Sequence, residues 1–177
     1  MNKVSKKSAP ATNQKVINLQ KIYVRDISLE VPNAPHIFGK EWRPKVDAHI
    51  NISSREIGEG VYESSLKVDI TAKNNSKIAF IVEITQCGSF LIKNLTTEEI
   101  SRTLGITCPN TLFPYARETL DNLLLKGGMP PMHLAQINFN ALYDNRKNSE
   151  QQAGANQKEQ ELKKKLVIES PPEGRLN

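Results

Sequence analysis

Residues 46–85 read VDAHINISSREIGEGVYESSLKVDITAKNNSKIAFIVEIT. Apolar side chains fall on alternate positions in three runs. Val46, Ala48, Ile50 and Ile52 alternate with Asp47, His49 and Asn51. Tyr62, Leu66, Val68, Ile70 and Ala72 alternate with Glu63, Lys67 and Asp69. Ile78, Phe80, Val82 and Ile84 alternate with Ala79, Ile81, Glu83 and Thr85. A period of two sends successive side chains to opposite faces, so each run predicts a strand with one more apolar face. Gly58-Glu59-Gly60 and Asn74-Asn75 separate the runs, and both suit tight turns because Gly and Asn tolerate positive φ.

Upstream, Ile27, Leu29 and Val31 alternate with Asp26, Ser28 and Glu30, whereas Ile22 and Val24 keep the other parity. A phase switch near Arg25 predicts a β-bulge, which adds one residue and re-aims the side chains. Residues 31–36, Val-Pro-Asn-Ala-Pro-His, must leave the ladder, since proline donates no hydrogen bond. Four strands are thus expected, with an antiparallel meander as the economical topology.

Downstream the period changes. Thr96 with Glu99 fits a capping box, and Gly105 fits the end of that helix. A main helix is expected from about Pro114 to Lys126, with a core stripe of Leu112, Ala116, Leu120 and Leu123 or Leu124, closed by Gly127-Gly128. A final helix after Asn138 carries Phe139, Leu142 and Tyr143. Helices grouped after the strands predict an α+β fold, a four-stranded antiparallel sheet with helices packed on one face. Residues 105–140 are dense in Pro, Gly and apolar side chains, so they need an accurately placed apolar partner.

Composition bounds the function. At 177 residues and 38% hydrophobic content, one domain is expected over residues 16–147, with a basic tail at 1–15 and a polar one at 148–177. The formal charge is +5, and residues 1–15 hold four lysines and no acid. Residues 16–147 carry fifteen basic and fourteen acidic side chains, so the fold itself is nearly neutral. That disfavours nucleic acid, which asks for a basic stripe on the fold. No apolar run has the length of a membrane span, and since no apolar core segment follows the N-terminal lysines, no secretory signal is expected. Cys87 and Cys108 lie far apart without a CxxC, as expected of reduced thiols in a cytoplasmic protein.

Catalytic chemistry finds little support. His36, His49 and His133 have no partner at metal-ligand or triad spacing, so neither metal nor cofactor is expected. Cys108-Pro109-Asn110 precedes a helix whose N-terminus could lower a thiol pKa, yet no base is nominated for it. Gly127-Gly128 follows a helix instead of opening one, unlike a phosphate loop. If the first and fourth strands share a sheet, Asp26, Ser28 and Glu30 share its outer face with Ile81, Glu83 and Thr85. That face is either simply solvated or a docking site for a basic partner.

Ile22-Tyr23-Val24-Arg25-Asp26-Ile27-Ser28-Leu29-Glu30-Val31-Pro32-Asn33-Ala34-Pro35-His36-Ile37-Phe38, with Trp42 and Pro44 after it, resembles the start of the SecB family of bacterial protein-export chaperones. Cys108-Pro109-Asn110-Thr111-Leu112-Phe113-Pro114-Tyr115-Ala116-Arg117-Glu118 is similar to a second family stretch, followed by Gly128, Pro130, Leu134, Ala135, Asn138, Phe139 and Leu142. The resemblance covers roughly residues 16–147 and implies a non-enzymatic homotetramer, a dimer of dimers, without direct membrane insertion. Such a protein holds unfolded precursor proteins in a translocation-competent state and delivers them to the ATPase SecA. It further implies that Asp26, Glu30, Ile81 and Glu83 receive the zinc-containing C-terminal segment of SecA, and that Val82, Ile84 and Gln86 occupy positions tied to tetramer assembly.

Aromatic and proline enrichment flanking the sheet nominates Trp42 and Phe80 as lining apolar grooves for client segments. Phe80 is open to a core reading as well. Cys87 stands where the family has the first Gly of a Gln-Gly-Gly turn, so altered turn geometry is expected there. One rival reading is a SecB-like chaperone of a toxin–antitoxin system, against which the acidic residues Asp26, Glu30 and Glu83 weigh. The other is an enzyme using Cys108.

Overall fold

A computed structural model describes residues 14–39, 41–149 and 152, so the tails expected at 1–15 and 148–177 lie almost wholly outside the described residues. Two compact units are formed, dividing after Ile137. The first is a four-stranded antiparallel sheet with helices, built from β1 (Val16–Glu30), β2 (Lys45–Gly58), β3 (Val61–Asn74), β4 (Lys77–Lys93), α1 (Thr97–Arg102) and α2 (Cys108–Lys126). The second contains α3, over residues 139–149. Its start is capped by Asn138, whose side-chain oxygen accepts from Ala141 N at 3.1 Å.

The strand order is β1-β4-β3-β2, a Greek key instead of the expected meander. Two hairpins join β2, β3 and β4, with left-handed backbone at Gly60 in one turn and at Asn75 and Ser76 in the other. β1 cannot pair with β2, because the long connection between them carries the chain past the β3–β4 turn. Asn33 Nδ2 donates to Ile78 O at 2.9 Å, which ties the connection to the start of β4. Asn74 pins its far end: Nδ2 donates to Glu41 O at 2.9 Å, and Oδ1 accepts from Arg43 N at 3.1 Å. Asn74 therefore both closes a strand and fastens the crossover. Two register shifts bend β1, and one falls at Arg25. It turns Asp26, Ser28 and Glu30 outward, as the phase switch suggests.

The helical stretch departs further from expectation. Thr96 and Glu99 do form the capping box. Gly105, however, ends nothing: the chain passes through a π-helical turn, Thr103–Thr107, in which Cys108 N donates to Thr103 O five residues back. α2 thus begins at Cys108, six residues before Pro114. Proline is tolerated at Pro109, in the first turn of α2, because its fixed φ already suits a helix. It is tolerated at Pro114 because Pro114 and Asn110, whose carbonyl lacks its usual donor, are both exposed to solvent.

One face of α2 fills the core with Leu112, Ala116, Leu120 and Leu124, all fully buried. Burial of each leucine contributes about 1.5–3 kcal/mol. The helix lies over β4 and β3, where Leu66, Val68, Ile70, Val82 and Ile84 are also buried. Gly88 permits this approach, since a Cβ there would stand 2.9 Å from Leu112 Cδ2. No turn interrupts the chain at Cys87, because β4 runs straight through it to Lys93.

Candidate functional site

The sheet face opposite α2 is a lattice fixed by the strand register. Across one row Glu30 stands opposite Ile81, Ile81 opposite Thr71, and Thr71 opposite Asp47. The next row runs Ser28, Glu83, Asp69, His49, and the third Asp26, Thr85, Lys67, Asn51. Directly opposed residues on one face are side-chain neighbours. β1–β4 pairing therefore places Asp26, Glu30, Ile81 and Glu83 together, the half-buried Ile81 and Glu83 beside the exposed Asp26 and Glu30. Lys67 Nζ lies 3.0 Å from Asp69 Oδ1 and 3.4 Å from Glu83 Oε2. The adjacent Asp69 carboxylate, and then Glu83, hold the Lys67 ammonium more firmly charged than an isolated lysine.

Farther along the same face a polar cluster ties distant strands together. Glu63 of β3 is only 4% exposed, although no helix covers it. Tyr23 of β1 donates to one of its oxygens. The other accepts from Arg55 Nε of β2 at 2.6 Å and from Arg25 Nη1 at 3.2 Å. Arg25 Nη2 reaches Ser65 Oγ at 3.2 Å, and Cys87 Sγ lies 3.5 Å from that hydroxyl. The long side chains of Tyr23, Arg25 and Arg55 thus roof Glu63 in place of a helix. The Tyr23 hydrogen bond, with Arg55 behind it, holds the Glu63 carboxyl below the usual carboxylate range against its burial. The same bond, reinforced by burial, pushes the Tyr23 phenol up to about 12.

On the helix-facing side α2 covers chiefly the two central strands. Ile17, Leu19, Val24 and Ile27 of β1 and Val46 of β2 remain exposed, Ile17 at 48%. Phe38, in the crossover, is 49% exposed, and Trp42 is half-buried. Phe80 is 1% exposed, so a client segment would reach it only by displacing what covers it. Val82, Ile84 and Gln86 are likewise buried within the chain, on the side that α2 covers.

Cys108 offers no reactive thiolate. Its sulfur is fully buried, and desolvation pushes the thiol up to about 12, the reverse of what a helix N-terminus would do. The π-helical turn continues into α2, so no free N-terminus exists at that point. Among the described residues no group of three or more His, Cys, Asp or Glu side chains is placed to hold a metal ion. No described helix is long and apolar enough to cross a membrane.

Lys67 and Asp69 belong to the acidic face yet were not singled out from sequence. Their alternation put them on a polar side, but only the β4–β3 register makes them neighbours of Glu83. The Glu63 cluster had no sequence signal, because its members come from all four strands.

The chain is similar throughout this region to known proteins. The family model "Preprotein translocase subunit SecB" matches residues 10–150. Protein-export protein SecB of Hahella chejuensis is 43% identical over 136 residues, covering 77% of this chain and 86% of that protein. Protein-export protein SecB of Pseudomonas savastanoi is 47% identical over 137 residues, covering 77% and 85%. That of Chromohalobacter salexigens is 41% identical over 157 residues, 88% of this chain and 96% of the relative. Among solved structures, a SecB-like chaperone of Mycobacterium tuberculosis, in complex with an antitoxin peptide, shares the fold. It aligns with a TM-score of 0.57 at 16% identity over 69% of this chain and 91% of its own. With the family model spanning the sheet and α2 and with relatives this close over most of their length, the chain belongs to the SecB family.

Proposed function

We propose that this chain is an export chaperone that holds non-native precursor proteins and hands them to SecA. The observation that carries the reading is the β1–β4 ladder, which brings Asp26, Glu30 and Glu83 around Ile81 on the open sheet face. Exposed carboxylates there steer a cationic segment, and an apolar centre gives it something to bury. The zinc-containing C-terminal segment of SecA is the partner we assign to it, with the zinc belonging to SecA.

Holding uses the other side. Exposed apolar side chains such as Phe38, Val46 and Ile27, and the half-buried Trp42, suit extended client segments. Each buried client side chain contributes about 1.5–3 kcal/mol, while each ordered residue costs about 1–2 kcal/mol. One patch therefore binds weakly. Several patches in a homotetramer hold tightly yet reversibly by avidity. Val82, Ile84 and Gln86 bear on that assembly through the seating of α2, because they have almost no surface of their own. The work precedes translocation, which places the protein in the cytoplasm.

The toxin–antitoxin reading draws on the Mycobacterium neighbour, whose likeness at 16% identity extends to the fold alone. The acidic face favours the export reading. The test is SecA binding by Asp26→Lys and Glu83→Lys, alongside client holding and oligomer size. Each reversal is expected to weaken SecA about tenfold, since like charges at an interface are strongly unfavourable. Client holding and size should persist. Unchanged SecA affinity in both variants would remove the hand-off from this face.

A further inference from the structure

The acids of the open face are of two kinds. Asp26 and Glu30 have no ion-pair partner among the described residues, whereas Glu83 shares Lys67 with Asp69. The register explains why. Asp69 stands directly opposite Glu83, and like charges so placed repel. Lys67, two residues along β3 on the same face, reaches both carboxylates and relieves that repulsion. All three side chains are partly exposed, so the lysine can swing into solvent on its flexible stem.

We propose that Lys67 is a built-in counter-ion of this face, which a cationic partner segment displaces from Glu83 on docking. The inference rests on the SecA-docking reading given above and refines it. Asp26 and Glu30 make first contact, being unneutralised. Glu83 engages by exchange, as a partner cation takes the place of the Lys67 ammonium between Glu83 and Asp69. The displaced lysine stays tethered nearby and competes for the same carboxylates. It thereby weakens the docked state and favours release, as suits a hand-off that has to be undone.

The test measures binding of the zinc-loaded C-terminal segment of SecA, as a synthetic peptide, to the full chain at low salt. Lys67→Gln is expected to bind about two- to fivefold tighter, the range spanned by an exposed ion pair, and the gain should shrink as salt rises. Lys67→Arg should stay near the parent. The double variant Lys67→Gln/Asp69→Asn restores the parent's net charge and removes the opposed carboxylates, yet leaves Glu83 without its lysine. It should remain tighter than the parent. A return to parental affinity would mean that only overall charge matters and would overturn the assignment. Equal or weaker binding by Lys67→Gln would overturn it too. Asp26→Lys, run in parallel, separates the two claims. If it weakens binding while Lys67→Gln changes nothing, the docking face stands and the counter-ion role falls. If Asp26→Lys is also silent, the docking face itself is wrong.

Discussion

Gly88→Ala tests how α2 is seated on the sheet. A Cβ at Gly88 would lie 2.9 Å from Leu112 Cδ2, 3.0 Å from Phe90 Cε2 and 3.3 Å from Lys21 O. Carbon atoms pack at about 3.5–4.0 Å, so Leu112 would have to retreat by roughly half an ångström or more. Leu112 is fully buried and Phe90 nearly so, which leaves neither an easy retreat. Overpacking of this kind costs about 1–3 kcal/mol. Alanine has opposing merits, since it restricts the unfolded chain and suits a strand better, together about 0.4–1 kcal/mol. The clash wins, leaving a net loss of about 1–2 kcal/mol, a large share of the roughly 5–15 kcal/mol of a typical domain. Urea unfolding at one fixed protein concentration is the assay, because assembly would make the midpoint concentration-dependent. The midpoint should fall while the m-value holds. Leu112→Val removes the colliding carbon, so in the double variant the two losses should fail to add by about 0.5 kcal/mol or more. Parental stability in Gly88→Ala, or strict additivity with Leu112→Val, would refute the close approach of α2 at this glycine.

The Glu63 cluster should show in the pH profile at both ends. The Glu63 carboxyl is lowered on folding, so its contribution is present above the unfolded carboxylate range and is lost as pH falls through the folded value. Glu63→Gln should therefore be less stable than the parent at neutral pH, with the gap closing on acidification; parallel acid profiles would contradict this. Tyr23 is raised to about 12, so its contribution is present below about pH 10 and is lost as pH climbs toward 12. Tyr23→Phe should flatten that alkaline loss, followed by denaturant midpoints across the range. Cys87 and Cys108 are both buried and free, so a thiol reagent should label neither in the folded chain and both in urea; rapid labelling of Cys108 without denaturant would contradict its shielded environment. Trp42→Ala should weaken holding of an unfolded client by about 1–2 kcal/mol with the midpoint little changed, as for a side chain that loses partial burial. Phe80→Ala should instead lose about 3–5 kcal/mol of stability, as a fully buried aromatic does, and a variant as stable as the parent would show Phe80 to be peripheral.

Local signals in the sequence read through to the structure where one segment determines its own geometry. Alternation located the strands, the parity switch at Arg25 marked a register shift, and Thr96 with Glu99 built the expected cap. The stripe Leu112, Ala116, Leu120, Leu124 is the buried face of α2. Other features depend on what lies elsewhere. Alternation says which face is apolar and nothing about which strand is next door, so the Greek key stayed hidden behind a meander. Gly105 carries a helix-stop signature, but the π-helical turn absorbs it. Pro114 reads as a helix start, and its solvent-facing position lets it sit inside the helix instead. The acidic quartet came from family resemblance and shared parity, whereas Lys67 and Asp69 join it only once β3 is known to flank β4.

The strand order also has a consequence for synthesis. Val16 pairs with Lys93, so β1 leaves the ribosome roughly eighty residues ahead of the far end of its partner. At about 5–20 residues per second, some 4–15 s pass before the ladder can close. Through that interval Ile17, Leu19, Val24 and Ile27 ride on a nascent strand with no neighbour, and they stay partly exposed even in the finished chain. While being made, a holder of unfinished polypeptides thus presents the kind of extended apolar segment that it is built to hold.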